Sequence, residues 1–492
     1  MPKPAPSPRP AGGRSTPSRR SPRASRWPRL DGIERLESRT VMAADTPVPF
    51  APGPASVVVV TNDVGWESTP LVRVVDATSG AELARFQPYP SGFRGGVRAA
   101  LGDFDGNGTQ EIAVAPGVGV AGEVRVFTAT GVELPAYRMA PFATSWRGGL
   151  DIAAGDFDGD GRYDLAAAKA TGDGEIRLFR GRAGGGFEAA AWKTLRPFAD
   201  TYLGGASVAA ADVGTFNGGT VTAADRQDGR AELIVGNGPT VAPLVRVYDV
   251  SAAPVIVDTK RPLSPTFIGG ISLATARVNL DEIPEIVVTG GRRSGVTEVI
   301  DGRVGSGSRL ARYEAFAGLG RSAPAGYAGP IDRDGDGWTD TIYATQGRAD
   351  GGGVKQVSPR GSVTGGFGSF AGALRVVAPP AVRSLGFRTT STGLRYRDFV
   401  VGTGAAPSTP SASVTVNYTG RFIDGTVFND FKDVPFRLDR VIPGWTEGVG
   451  GMRVGGKRQL ITPPEVAYGP EGNETIPGDA TLVFDVELAS TT

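Results

Sequence analysis

An internal repeat is the feature of this 492-residue sequence that most constrains its fold. Six units share one order, an apolar strand followed by a β-rich strand of the Val-Arg-Val type, and a Gly-Gly sequence that leads into a small-residue strand recurs five times. The β-rich strands begin near residues 72, 124, 176, 245, 297 and 354. Units of about 52 to 58 residues, apart from an insertion near 216–225, hold about four short strands each. This pattern predicts β-propeller blades, which protect sheet edges by radial repetition.

Acidic loops recur at equivalent places in these units. The clearest three begin at residues 103, 156 and 332 and read DFDGNGTQE, DFDGDGRYD and DRDGDGWTD. Oxygen acceptors at loop positions 1, 3, 5 and 9, with a Gly at position 6, suit a hard cation of the size of Ca²⁺. The alternative is that the loops are Asp/Gly-rich turns without a cation. The predicted metal ligands are Asp103, Asp105, Asn107 and Glu111; Asp156, Asp158, Asp160 and Asp164; and Asp332, Asp334, Asp336 and Asp340.

Two further loops of the series depart from this pattern. Arg277 stands at the first ligand position of RVNLDEIPE, where its positive charge would repel a cation. In the remaining loop, the insertion separates Asp212 from Asp228 and Glu232. We therefore predict no cation at Arg277 and leave the interrupted loop open.

The strands and acidic loops together resemble FG-GAP repeats, the modules of the integrin α-chain propeller. The resemblance implies structural Ca²⁺ that braces loops on one face, and a protein or glycan ligand of unknown identity at other loops. Propellers of the integrin type have seven blades, whereas six units are visible here, so six and seven blades both remain open.

The sequence contains no His and no Cys. Disulfides, thiolate nucleophiles, His or Cys metal sites and Ser-His-Asp triads are therefore excluded. Acid–base catalysis in the repeat region would need a carboxylate pair, and most of its acidic residues are already assigned to the loops. The repeat region is thus predicted to bind rather than to catalyse.

The N-terminal residues 1–50 are predicted to form a disordered basic tail and an export leader. Residues 1–30 contain Arg and Lys without any acid, among many Pro and Ser residues. The segment 33–45 resembles the LEPRxLL-type leader of exported bacterial surface proteins, with Leu36, Glu37 and Arg39 matching and Ser38 departing. The resemblance implies an exported, extracellular or cell-envelope protein; the alternative is a solvated linker.

Charge and hydropathy argue against a nucleic-acid partner and against a membrane span. The net charge of the whole chain is +1, and no folded nucleic-acid-binding module follows the basic tail, so we predict no nucleic-acid partner. No stretch approaches 18 consecutive apolar residues, so we predict no membrane span.

The last hundred residues follow a different pattern. Val414, Val416 and Tyr418 alternate as in a half-buried strand, and so do residues 482, 484 and 486. The sequence IDGT at 423–426 predicts a hairpin turn. The Gly-bounded segment 442–452 predicts a short helix with Trp445 on its buried face. These signals indicate an α+β domain, in which a curved antiparallel sheet packs around one helix.

The strings NYTG, GTVFND, PFRL, VIPGW, EVAYG, ETIPG and LVFDV resemble FKBP-type peptidyl-prolyl isomerases in order and spacing across about residues 390–490. The resemblance implies an isomerase that uses no cofactor and acts on proline-containing proteins or peptides. Asn429 stands where the family usually has Asp, and the 470–478 loop is about one residue short. Carried over by position, the family's pocket comprises Tyr418, Phe428, Asn429, Phe436, Val441, Ile442, Trp445, Tyr468, Ile476 and Phe484.

We therefore predict a mainly β protein with an export leader and tail (1–50), a calcium-binding propeller (51–380), a linker (381–390) and an FKBP-like domain (391–492). The predicted function is isomerisation of X-Pro bonds in exported or surface proteins, with the propeller as a docking module. The alternative is an adhesion or scaffold protein whose propeller binds the ligand and whose FKBP-like domain is an inactive peptide-binding module.

Overall fold

The computed structural model describes residues 57–62, 69–76, 79–213, 229–280, 283–291, 294–315, 326–332, 338–346, 352–359, 363–370, 374–377, 387–423 and 425–492. The basic tail, the leader-like segment, the insertion near 216–225 and the predicted ligands Asp334 and Asp336 lie outside these residues. The described chain is mainly β, as predicted, with α1 (Pro443–Gly450) as its α-helix.

The described residues of the repeat region form six antiparallel sheets of three or four strands. The first three sheets are built from β1 (Val57–Asn62), β2 (Val72–Asp76) and β3 (Glu82–Phe86); β4 (Val97–Gly102), β5 (Glu111–Pro116) and β6 (Arg125–Phe127); and β7 (Leu150–Gly155), β8 (Asp164–Lys169), β9 (Ile176–Phe179) and β10 (Lys193–Leu195).

The next three sheets are built from β11 (Ala206–Ala211), β12 (Glu232–Asn237), β13 (Val245–Asp249) and β14 (Val255–Lys260); β15 (Ile271–Ala276), β16 (Glu285–Gly290), β17 (Val296–Ile300) and β18 (Arg309–Glu314); and β19 (Gly326–Ile331), β20 (Thr341–Gln346), β21 (Gly352–Val357) and β22 (Val363–Phe370).

A final strand of the repeat region, β23 (Leu374–Val377), joins the first sheet rather than the last. It pairs antiparallel with β1, with Val377 opposite Val59, so that the sheet order is β23-β1-β2-β3. The strands β4, β7, β11, β15, β19 and β23 contact one another in turn, and β23 also contacts β4. Each sheet thus contacts the next through one of these strands.

Several strands of the repeat region are buried along their whole length. Every residue of β4, β5, β11 and β12 is buried, because sheets pack against both of their faces. Small residues dominate here, as in the Ala209–Ala211 run of β11.

The C-terminal domain is a six-stranded antiparallel sheet around α1, as the alternation predicts. The order is β24-β25-β28-β29-β26-β27. Its strands are β24 (Arg388–Thr389), β25 (Arg395–Val400), β26 (Ser413–Phe422), β27 (Val427–Arg437), β28 (Lys457–Thr462) and β29 (Leu482–Thr491). The sheet therefore begins inside the segment 381–390 that we expected to be a linker, because β24 pairs with β25.

Helix α1 lies unusually close to β28. It begins at Pro443, whose fixed φ suits the first helical turn. A Cβ on Gly448 would lie 2.6 Å from Leu460 Cδ2, and one on Gly444 would lie 2.5 Å from Thr462 Cγ2. Both glycines therefore allow the helix to approach the sheet and to hold Trp445 against it.

Within the described residues, no helix is both long enough and apolar enough to cross a bilayer.

Candidate functional site

The indole of Trp445 on α1, which the sequence predicts as the floor of a pocket, is surrounded by aromatic rings. Three rings meet it edge to face: Tyr418 at a centroid distance of 4.9 Å, Phe484 at 5.3 Å and Phe436 at 5.4 Å. These rings come from β26, β29 and β27. The predicted Trp and its predicted neighbours are thus brought together, and edge-to-face contacts are the geometry that aromatic quadrupoles favour.

Phe428 forms a wall beside this floor. Its ring is perpendicular to that of Phe484 at 5.7 Å and lies 5.0 Å from that of Phe422. A Cβ at position 420 would lie 2.7 Å from the Phe428 ring, so Gly420 leaves the space that this ring occupies.

The remaining predicted pocket residues lie just before α1 and in the connection between β28 and β29. Ile442 and Ile476 are buried, whereas Val441 and Tyr468 are half-buried. Asn473 positions Ile476, since its side-chain oxygen accepts hydrogen bonds from the backbone N–H groups of Thr475 and Ile476 at 2.9 and 2.7 Å.

Three polar groups belong to this apolar pocket. Burial raises the pKa of Tyr468 to about 12. Burial, with smaller contributions from Tyr468 and Asp430, also raises the pKa of Tyr418 well above its usual value. Both phenols therefore stay protonated and can donate. The buried Nε1–H of Trp445 has no hydrogen-bond acceptor within the described part of the chain.

Asn429 lies on β27 opposite Gly420 and is half-buried. The carboxylate next to it, Asp430, is exposed and accepts a hydrogen bond from Thr419 Oγ1 at 3.0 Å. The nearest acid on this strand, Asp430, therefore already accepts a hydrogen bond from the neighbouring strand β26. An amide at position 429 can hydrogen-bond but carries no charge.

Our sequence reasoning missed two aromatic residues that pack on the predicted set. Phe422 contacts Phe428, and the Phe431 ring lies 6.0 Å from that of Tyr418. The signal for Phe422 was its even spacing from Tyr418 on β26, which places both side chains on one face of the strand.

The acidic loops of the repeat region form a second candidate site. Carboxylate oxygens of Asp103, Asp105 and Glu111 lie within 4.8 Å of one another. The Asn107 side-chain oxygen accepts a hydrogen bond from the Thr109 N–H at 2.7 Å. Three converging carboxylate oxygens suit a hard cation, so Asp103, Asp105 and Glu111 fit Ca²⁺.

The second loop has the same arrangement. Asp156, Asp158 and Asp164 bring carboxylate oxygens within 4.8 Å of one another. Asp160 pairs with Arg162 instead, and Arg180 Nε lies 2.8 Å from Asp158 Oδ2. The convergent acids fit a cation, which would compete with Arg180 for Asp158.

Burial of these acids has an electrostatic cost. It raises the pKa of Glu111 to about 7 and that of Asp164 to about 8, against backbone hydrogen bonds that lower both. A positive charge at the centre of each loop would favour the ionised form.

The loop that begins at Asp332 is described only at its ends. Asp332 is half-buried and Asp340 is exposed, while Asp334 and Asp336 lie outside the described residues. In the loop before it, Arg277 is buried and its pKa falls to about 10, although Asp212 and Glu285 oppose this fall. The first position of this loop thus holds a buried cationic side chain, and the lack of a bound cation there stays a prediction.

Comparisons with known proteins match both regions. Residues 404–489 match the FKBP-type peptidyl-prolyl cis-trans isomerase family, and residues 103–167 match the FG-GAP-like repeat. The FKBP-type isomerase FkpA of Escherichia coli K12 is 50% identical over 107 residues, which cover 21% of this chain and 39% of FkpA. FK506-binding protein 4 of Dictyostelium discoideum is 44% identical over 107 residues, covering 21% of this chain and 29% of that protein.

Two solved structures match the same domain. The crystal structure of Escherichia coli FkpA is 49% identical and covers 22% of this chain and 52% of that one, with a TM-score of 0.21. That of AtFKBP13 is 33% identical and covers 22% and 98%, also with a TM-score of 0.21. The chain spans about two fifths of the length of FkpA. It carries an FKBP-type peptidyl-prolyl cis-trans isomerase domain at its C-terminal end, after a region that contains an FG-GAP-like repeat.

Proposed function

We propose that the protein isomerises X-Pro bonds of proline-containing proteins or peptides in the pocket above Trp445. The observation that carries this proposal is the closed set of rings around Trp445, which offers a proline ring an apolar floor and walls. No cofactor is needed, because the reaction is a rotation about one bond.

The pocket lowers the barrier by removing water. Loss of amide resonance sets a barrier of about 18–20 kcal/mol, and an unassisted X-Pro bond crosses it in tens to hundreds of seconds. The twisted amide is less dipolar than the planar one. An apolar pocket therefore destabilises the planar form more than the twisted form, which amounts to preferential binding of the transition state.

Named residues take distinct roles in this mechanism. Trp445 supports the proline ring, with Phe428, Phe436 and Phe484 as walls. The protonated hydroxyl of Tyr468 donates to the substrate carbonyl and orients it. Val441, Ile442 and Ile476 complete the apolar lining, while the ring of Tyr418 packs against the indole of Trp445.

The test is acceleration of cis/trans exchange in an X-Pro peptide, followed by NMR with the full chain. Phe428→Ala removes a wall of the pocket, and we expect kcat/KM to fall about tenfold or more, equivalent to about 1.4 kcal/mol of transition-state stabilisation. Phe399→Ala is the matched control, because Phe399 is a half-buried ring on β25 that contacts Arg397 instead. An equal loss in both variants, or no acceleration by the parent, contradicts the proposal.

For the repeat region, we propose a six-bladed propeller braced by Ca²⁺ that docks a protein or glycan. Three observations support six blades rather than seven: the six sheets, the pairing of β23 with β1, and the contacts that link β4, β7, β11, β15, β19 and β23 in turn. The proposed ligands are the convergent acids of the 103 and 156 loops, with Asp332 and Asp340 in a third loop. The leader-like segment 33–45 supports export to the cell envelope or beyond.

Asn429 supports one alternative function. If its missing charge prevents turnover, the FKBP-type domain binds proline-containing peptides without isomerising them, and the protein acts as an adhesion or scaffold molecule. The same assay separates the two functions, since a binding module retards peptide diffusion in NMR without accelerating exchange.

A further inference from the structure

The two central strands of the isomerase sheet, β28 and the first half of β29, are buried on both faces. Leu460 and Phe484 point towards α1 and belong to the core around the pocket. Their neighbours Ile461 and Val483 point to the opposite side, yet they are only 3% and 0% exposed. An antiparallel sheet that packs one face on a core commonly exposes its other face to solvent. The burial of Ile461 and Val483 therefore means that another part of the chain packs on this second face, which we call the back face.

The cover comes from the repeat region. Leu280 and Trp338 form an apolar cluster with Ile461 and Val483. Leu280 lies in the β15–β16 connection and Trp338 in the β19–β20 connection. These two connections are equivalent to the acidic loops at 103 and 156, so the isomerase domain lies at the end of the repeat sheets that carries those loops.

Directional hydrogen bonds accompany the apolar contact. Trp338 Nε1 donates to Gln459 Oε1 at 3.2 Å, and Gln459 Nε2 donates to Asp485 Oδ1 at 2.7 Å. The backbone N–H of Leu280 donates to the carbonyl of Ile423 at 2.6 Å. Gln459 is only 1% exposed, and a buried amide without partners is costly. These bonds therefore fix one orientation, which apolar burial alone would not.

The two connections are also tied to each other. The Arg277 N–H donates to Thr339 Oγ1 at 2.9 Å, and the Thr339 N–H donates to the Arg277 carbonyl at 2.7 Å. Arg277 stands three residues before Leu280, and Thr339 follows Trp338. Hydrogen bonds between two neighbouring connections thus hold Leu280 and Trp338 in place relative to each other.

We propose that Leu280 and Trp338 form a docking surface for the back face of the isomerase sheet, so that the repeat region and the isomerase domain move as one rigid body. The pocket residue Phe484 and the docked residue Val483 are adjacent on β29 and point to opposite faces. Docking therefore leaves the pocket open on the side away from the repeat region and holds it in a fixed direction.

Distance measurement between two spin labels tests this proposal in the full chain. Because the sequence contains no Cys, cysteines introduced at Ala189 and Ser408 can be labelled without background, and both positions are exposed. We expect one narrow distance distribution in the parent. Trp338→Ala should broaden it at least twofold, while the isomerisation rate stays within about twofold of the parent's.

Two further variants make the outcome decisive. Ile423→Asp places a carboxylate in the apolar contact from the isomerase side and should also broaden the distribution. Leu203→Ala, at a side chain that is 72% exposed before β11, should leave it narrow. A broad distribution in the parent overturns the proposal, as does a narrow one in both interface variants. If Trp338→Ala does not fold, Trp338→Phe, which loses only the N–H donor and part of the ring, replaces it and should broaden the distribution less.

Discussion

Asn429 is the residue at which this pocket departs from the family that it resembles. It lies opposite Gly420 on the β26–β27 pair, and the neighbouring Asp430 is held by Thr419. An ionised partner makes hydrogen bonds roughly twice as strong as a neutral one does. A carboxylate at position 429 should therefore hold the aromatic wall or the substrate more firmly than the amide does.

We predict that Asn429→Asp raises kcat/KM for an X-Pro peptide by about two- to tenfold, because it restores a charged acceptor beside Phe428. The measurement is the NMR exchange rate of the full chain, with Asn429→Ala as the control that removes the polar group. An Asp variant no faster than the parent would show that the amide does not limit turnover.

Tyr468 gives a prediction about pH. Burial raises its pKa to about 12, so the hydroxyl keeps its proton, and remains a donor, throughout the neutral range. The sequence has no His that could titrate there. We expect an isomerisation rate that is flat between about pH 6 and 9.

Tyr468→Phe should lower that rate about three- to tenfold at every pH, since one hydrogen bond contributes about 1 kcal/mol. A rate that changes with an apparent pKa near 7 or 8 would instead implicate a group outside the pocket described above.

At the scale of elements, the close packing of α1 on β28 depends on two glycines, Gly444 and Gly448. Gly448→Ala would place a methyl group 2.6 Å from Leu460 Cδ2, so we predict a loss of about 1–3 kcal/mol in the unfolding free energy of the isomerase domain. Urea unfolding followed by Trp fluorescence measures this loss.

Gly450→Ala is the matched control in the same helix, because its Cβ would meet only Leu438 Cδ1 at 3.8 Å. That variant should be neutral, or more stable by up to about 1 kcal/mol, because Ala is the better helix former. Equal destabilisation by both variants would argue against a steric cause.

Elements of the isomerase domain were predictable because their signals are local. The alternation of Val414, Val416 and Tyr418 predicts one buried face, and all three side chains are buried. The helix around Trp445 follows from Pro443 and its flanking glycines. The position of β24 was not predictable, since two residues carry no periodicity and pair only because β25 lies beside them.

The loop ligands show the same limit. Spacing predicts Asp103, Asp105, Asn107 and Glu111 as a set, and carboxylate oxygens of its three acids converge. Spacing also predicts Asp160 as a ligand in the second set, but not the ion pair that Asp160 makes with Arg162. Side-chain partners of that kind depend on rotamers and neighbours, which sequence spacing does not contain.

Across the whole molecule, Ca²⁺ should act on the repeat region and not on the chemistry of the pocket. We predict that Ca²⁺ added to chelator-treated protein stabilises the repeat region by about 2.7 kcal/mol at one hundred times its Kd, while the isomerisation rate stays unchanged. Calorimetry with and without Ca²⁺ measures the first quantity.

Glu111→Gln should lose part of this stabilisation, whereas Glu188→Gln, at an exposed acid outside the loops, should keep all of it. Unchanged melting of the parent on addition of Ca²⁺ would show that the converging acids are turns without a cation. Terbium luminescence, excited through nearby aromatic rings, gives an independent reading of occupancy.

Contacts between residues far apart in the chain could not be predicted from the sequence patterns. The repeat predicts sheets of about four strands each, but not that β23 belongs to the first of them or that Trp338 meets Gln459. Both contacts join residues more than a hundred positions apart, and no local propensity distinguishes these partners from others.

The pairing of β23 with β1 has a consequence for biosynthesis. Because Val59 pairs with Val377, β1 cannot form its hydrogen bonds to β23 until more than three hundred further residues have left the ribosome. One edge of β1 stays unpaired during that time. Such non-local pairing is slow to form and exposes strand edges meanwhile. A nascent chain stalled before residue 374 should therefore engage chaperones that a chain released after residue 377 no longer needs.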